Sequence, residues 1–364
     1  MEFIMINEME AKKLPFKYPL ITGYQGLASL YAILENYPKT LDWIYSNYIQ
    51  TYGYIRNGNF ELTIFPGFEA MKICPWINFS LISRELVKKL NMNIIDFAIN
   101  NIDANNYLYV MLDQHYLLSS RSGNKNHFAH DTFIYGYDTK KCILNIADFT
   151  FNNKYSFEEV SFNEIDNAYN AVDSNMDRPF FTGKGGVALV NYFENGIYEF
   201  DVQLIKETLN DYINSTNTTT RYRFMENPNP YAVYGIKIYE KLIEYLMFVG
   251  EGKIKCDIKP LHNLYDHKKL MLERIKYMEY KGYIRNANEV ITRLSAIENT
   301  CLLLSNKTIK YNLSSNNKII ESIITQIQEL CKDELDILKK LIIDIKDIPV
   351  KVNVSDWFGL NKLN

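Results

Sequence analysis

Residues 26–37, GLASLYAILENY, place Leu27, Leu30, Tyr31 and Leu34 at helical spacing, which predicts an amphipathic helix from about Gln25 that stops before Pro38. Gly26, Ala28 and Ser29 keep its first turn small, so other groups can approach the free N–H groups and the positive end of the helix dipole. A second helix is predicted over TLDWIYSNYIQTYGYI and a third over SRELVKKLN with Ser83 as its cap, so helices are expected to dominate the first hundred residues. The pattern then changes. NYLYVMLDQHYL, HDTFIYGYD and KCILNIADF are β-branched and aromatic runs separated by Asn, Gly and Asp turns, which predicts antiparallel strands. YSFEEVSFNEIDNAY adds a strand and a short helix, and VALVNYF adds another strand, giving an α+β domain over residues 1–195. Residues 196–364 read as a helical bundle. DVQLIKETLNDYIN is helical, a polar stretch follows, YGIKIYEKLIEYLMFV resumes the helical period, and further helices are expected at 261–284, 286–304 and 316–346.

Composition narrows the function classes. A chain of 364 residues with 47% apolar content can bury more than one core, and a formal charge of -3 from 40 basic and 43 acidic residues leaves no positive excess for a phosphate backbone. Nucleic acid is therefore not expected as a partner. No apolar run reaches the roughly 20 residues that span a bilayer, and MEFIMINEMEAKK lacks the order of a signal peptide, so no membrane contact and a cytoplasmic location are expected. Cys74, Cys142, Cys256, Cys301 and Cys331 are odd in number and scattered, which predicts reduced thiols and no zinc site. His127 and His130 would lie on opposite faces of a strand and lack a third ligand, so no metal is expected, and no cofactor motif is present. His262 and His267 read as interdomain or solvent contacts, and Asp113-Gln114-His115 as a turn or edge.

The chemistry-bearing stretch is HFAHDTFIYGYDTKKCILNIADF. It presents His130 at a strand start, a turn at Tyr137-Asp138-Thr139, and a second strand that brings Asp148 beside His130 across a hairpin. A histidine oriented by a carboxylate is two thirds of a cysteine-peptidase site; the remaining part is a thiolate at a helix start. With QGLASL upstream and the spaced His130, Gly136, Tyr137, Asp138 and Asp148 downstream, residues 20–170 resemble the C39 bacteriocin-processing peptidases. They are more similar still to the N-terminal domain of butirosin biosynthesis protein H. The segments YGIKIYEKL and LHNLYDHKKLMLERI resemble the second half of bacterial proteins that carry that domain. The resemblance implies a papain-like N-terminal domain, a helix packed on an antiparallel sheet, followed by an α-helical C-terminal domain. It also implies acyl transfer from an acyl or peptidyl carrier protein to an amine or peptide substrate in thiotemplated natural-product biosynthesis.

The departure lies at the nucleophile. Gln25 stands where the resemblance places the cysteine, with Gly26 next to it, and an amide cannot become a nucleophile at neutral pH. Cys74 precedes Pro75 and shows no helix-start pattern, and Ser29 lies one turn into the helix. The expected catalytic set is thus His130 as base and acid, Asp148 as its orienter, and the Gln25 to Leu27 helix start as oxyanion donor. The leading expectation is a papain-like acyltransferase homologue that forms amides from a carrier-bound thioester. The alternative is a catalytically inactive relative that binds a carrier protein, a peptide or a partner enzyme. Neither oligomeric state nor the acyl group is legible.

Overall fold

The structure is a computed structural model and describes residues 10–67, 70–119, 126–149, 154–173, 186–222 and 229–348. In chain order its strands are β1 Ala11–Lys13, β2 Thr51–Arg56, β3 Asn59–Ile64, β4 Ile77–Ile82, β5 Asn106–Asp113, β6 Ala129–Asp138, β7 Ile143–Phe149, β8 Tyr155–Ser161, β9 Val187–Tyr192 and β10 Val233–Tyr234. Its helices are α1 Gln25–Leu34, α2 Leu41–Ser46, α3 Ala70–Ile73, α4 Arg84–Lys89, α5 Ile94–Asp103, α6 Phe162–Asn170, α7 Val202–Asn214, α8 Ile238–Gly250, α9 Lys259–Tyr280, α10 Ala287–Ser314 and α11 Asn317–Asp344. The class is mixed α+β, and the chain divides into two compact units. One comprises the described residues of Met1–Leu41 and Pro66–Tyr198; the other comprises those of Asp42–Phe65 and Glu199–Asn364.

The first, the sheet unit, is built on seven antiparallel strands in the order β4-β9-β5-β6-β7-β8, with β1 also paired to β6. β6 is its hub. β5 pairs with it as far as Leu108↔Ile134, and β1 takes over beside Gly136, where a side chain would run into Lys12 O at 2.8 Å and Asn145 Oδ1 at 2.9 Å. Glycine is needed there because β1 and β7 both approach at the bulge between Ile134 and Gly136. α1 begins at Gln25 as its spacing predicts, and all ten of its residues are buried. Such a helix, with apolar or small residues all round, belongs inside a core. Ser83 caps α4 by accepting from Leu86 N at 3.2 Å, and Ser161 with Glu164 forms a capping box at the start of α6.

The second, the helical unit, holds α7 to α11 around an apolar core that includes Leu242, Leu246, Met271, Leu294, Ile323 and Leu338. It also contains a three-stranded antiparallel sheet, β10-β2-β3, whose strand β2 lies largely in a stretch the sequence reading assigned to helix. The predicted helix over TLDWIYSNYIQTYGYI ends after Ser46, and Thr51–Arg56 is a strand. The reason is Asn57-Gly58, both at positive φ (51° and 80°), a tight turn that pairs IR with NF as a hairpin. This hairpin belongs to the helical unit because α9 grips β3 and the segment that leads into β2. Asn263 donates to Leu62 O at 2.9 Å, His267 bonds Ile49 O at 2.7 Å, and Arg274 donates to Tyr45 O at 2.8 Å and to Asn47 O. Intervals of four and seven residues put these three side chains on one helix face. The division is thus not a single cut near residue 195. Among the described residues no helix is long and apolar enough to cross a membrane.

Candidate functional site

The hairpin of β6 and β7, in register at Phe133↔Ala147, carries Asp148 to the side of the sheet where His130 and Thr132 project. His130 Nδ1 lies 3.2 Å from Asp148 Oδ1, and Nε2 lies 3.6 Å from Asp131 Oδ1. The imidazole keeps 16% of its exposure and the Asp148 carboxylate 5%, so the base can be reached while its orienter is sealed in. The rings of Phe128 and Phe149 flank the histidine at 5.9 and 6.2 Å.

Asp148 is held from several directions. Its Oδ2 accepts from Gln114 Nε2 at 2.8 Å and from the Thr132 hydroxyl, and its Oδ1 accepts from Phe149 N at 2.7 Å. A carboxylate satisfied by three fixed donors keeps one orientation toward its histidine. From sequence Gln114 reads only as part of a turn or edge, and Thr132 carries no signal of its own. The available signal was a polar pair leaving an apolar strand run, and that reads equally well as a turn.

Gln25, Gly26, His130 and Asp148 all belong to this unit. Gln25 opens α1, is 4% exposed, and donates from Nε2 to Ala147 O at 2.5 Å. A carbonyl can only accept, so this bond fixes which end of the amide is which and leaves Gln25 Oε1 without a partner among the described residues. The glutamine therefore ties the helix start to β7 one residue before Asp148. Gly26 is buried behind it, and no side chain caps the helix, whose first main-chain bond runs from Ala28 N to Tyr24 O at 2.8 Å. Ser29 packs its hydroxyl 3.3 Å from Tyr155 Oη, both buried, and burial raises the Tyr155 pKa far enough to keep that phenol protonated.

All five cysteines are free. Burial pushes the Cys74 thiol up to about 12, Cys256 and Cys331 to about 11, and Cys301 higher still, while Cys142 is exposed in the β6–β7 turn. None lies at the start of α1. Among the described residues no group of three or more His, Cys, Asp or Glu side chains is arranged to hold a metal ion.

His267 differs from its sequence reading as an interdomain or solvent contact: it is fully buried in the core of the helical unit. Lys268, beside it, donates to Glu334 Oε1 at 2.6 Å, Tyr212 Oη at 2.9 Å and His267 Nδ1 at 3.0 Å, and Tyr239 Oη donates to Glu334 Oε2 at 2.5 Å. Burial, and then the Lys268 charge, hold His267 well below its ordinary pKa, so its Nε2 carries the proton given to Ile49 O. Lys268 and Glu334 escaped notice because a Lys and a Glu in helices rich in both look like solvated charges.

Compared with protein-family models and with curated proteins, the sequence matches none.

Proposed function

We propose that the chain is a cysteine-peptidase-like protein of a bacterial natural-product pathway that binds a carrier-protein-borne acyl or peptidyl group, or a peptide, without forming an acyl-enzyme. The observation that carries this reading is Gln25, which occupies the buried start of α1 with its amide committed to the Ala147 carbonyl. A group so placed holds α1 to β7 but offers no nucleophile, and the buried thiols are protonated far above neutral pH. The papain-like frame is supported by α1 packing on β6 and β7, with the histidine at the start of one strand and the carboxylate on the next.

The His130–Asp148 pair favours a second reading, direct acyl transfer to an amine. Here His130 takes the proton of the incoming amine as it attacks a bound thioester, and the free thiol leaves.

Intact mass spectrometry and calorimetry on the full chain, with an acylated carrier protein, its acyl-N-acetylcysteamine thioester, a peptide and an amine acceptor, test the binding reading. Saturable binding with no acyl adduct is the expected result. An adduct on any cysteine, or absence of binding to both carrier protein and peptide, overturns it; amide formation that His130→Gln abolishes selects the second reading.

A further inference from the structure

Asp113 closes β5 with its side chain fully buried, and three donors converge on it. The backbone N–H groups of His115 and Phe128 each lie 3.1 Å from Oδ1, and His127 Nδ1 lies 2.6 Å from Oδ2. Burial is the largest single influence and opposes the charge, but the His127 bond and the two backbone bonds together hold the Asp113 pKa below its ordinary value. The carboxylate is an anion at neutral pH and can only accept. His127 Nδ1 therefore carries the proton, which leaves Nε2 as the ring nitrogen not committed to Asp113. The His115 ring stacks on His127 at 4.3 Å and 26°, yet the His127 side chain keeps 58% of its exposure. An imidazole held at one nitrogen by a buried carboxylate, with more than half of its side chain exposed, is arranged as a general base. His262, 34% exposed with its Nε2 3.8 Å from Asp266 Oδ2, serves as a control elsewhere in the chain.

We propose that His127, held by Asp113, is a second acid–base site, separate from the His130–Asp148 pair, that acts on carboxylic esters or thioesters at the open surface. His127 Nε2 takes a proton from a water molecule as the water oxygen bonds to the carbonyl carbon. The C–O or C–S bond then breaks, and the leaving group departs with the electron pair and takes up the proton from Nε2. Asp113 retains the Nδ1–H bond throughout and is a positioning residue. Neither Gln25 nor His130 takes part, so this site stands or falls independently of the papain-like reading.

Release of nitrophenolate from p-nitrophenyl acetate by the full chain, measured against equimolar N-acetylhistidine at the same pH, tests the site. We expect a rate at least about tenfold above the free histidine, a modest share of what a positioned base contributes. His127→Gln abolishes the excess, Asp113→Asn lowers it about tenfold, and His262→Gln leaves it unchanged. Because Asp113 is buried and its substitution can cost the fold, nitrogen NMR of the wild-type histidines is the second measurement, with His127 expected as the Nδ1–H tautomer. No excess over N-acetylhistidine, an excess that survives His127→Gln, or an Nε2–H tautomer at His127 overturns the proposal.

Discussion

Each unit encloses a cluster of polar side chains, and the two clusters are built on opposite terms. In the helical unit, Lys268 and Glu334 are wholly buried, all three ammonium protons have acceptors, and Tyr212, Tyr239 and His267 complete a closed network across four helices. In the sheet unit, Asp148 is equally well held, but the network ends in a histidine at the solvent edge, and the Gln25 amide, bonded to the adjacent Ala147, has one atom without a partner among the described residues. A closed network specifies packing, because any rearrangement strands a charge. An open one leaves a group able to take a proton. Burial of charged residues alone does not separate the two; the number of unused valences does.

The comparison can be broken most forcefully at Lys268. Lys268→Met leaves Glu334 buried without its cation and is expected to cost about 3–5 kcal/mol in chemical denaturation, whereas Lys268→Met with Glu334→Leu recovers part of that loss. A loss under about 1 kcal/mol for the single variant contradicts the closed network. Asp148→Asn removes the charge that Gln114, Thr132 and Phe149 N serve, with an expected loss of about 1.5–3 kcal/mol, typical of hydrogen bonds to a charged group.

A smaller effect appears with acid. The folded pKa of Asp113 lies below its ordinary value of 3.8, so the carboxylate contributes stability that is full above that value and is lost as pH falls through the lower folded one. Asp113→Asn flattens this part of the acid unfolding curve; an unchanged curve contradicts the assignment. Smallest of all is the response to iodoacetamide at pH 8. With burial raising four of the five thiols, and the exposed Cys142 at a turn, no cysteine is expected to react faster than the free amino acid. Selective rapid labelling of Cys74 contradicts the placing of the site at Gln25.

Helix α1, the β6–β7 hairpin and the long helices of residues 199–348 were legible because a single local period produces each of them. The fate of TLDWIYSNYIQTYGYI was not, because its apolar residues fit a helical period while Asn57-Gly58, just beyond, dictates a hairpin. His130 and Asp148 could be paired from sequence because a hairpin joins them at short range. Gln114 reaches Asp148 from the turn that follows β5, and its reach to that carboxylate could not be placed, since nothing in its neighbourhood distinguishes it from any other turn residue. Lys268, next to His267, is 66 residues from Glu334 in sequence and on a different helix, and only tertiary packing determines that all three point inward.

The most direct test of the sheet unit as a nucleophile-free peptidase frame is Gln25→Cys. A thiol at the start of α1, under the helix dipole and against the strand that carries Asp148, is expected to be alkylated far faster than the native cysteines. It should also take an acyl group from an acyl-N-acetylcysteamine thioester, seen as a mass increase that His130→Ala abolishes. Gly26→Cys controls for a one-residue shift. If both variants fold, and neither gains a fast thiol or a His130-dependent adduct, the central claim is wrong.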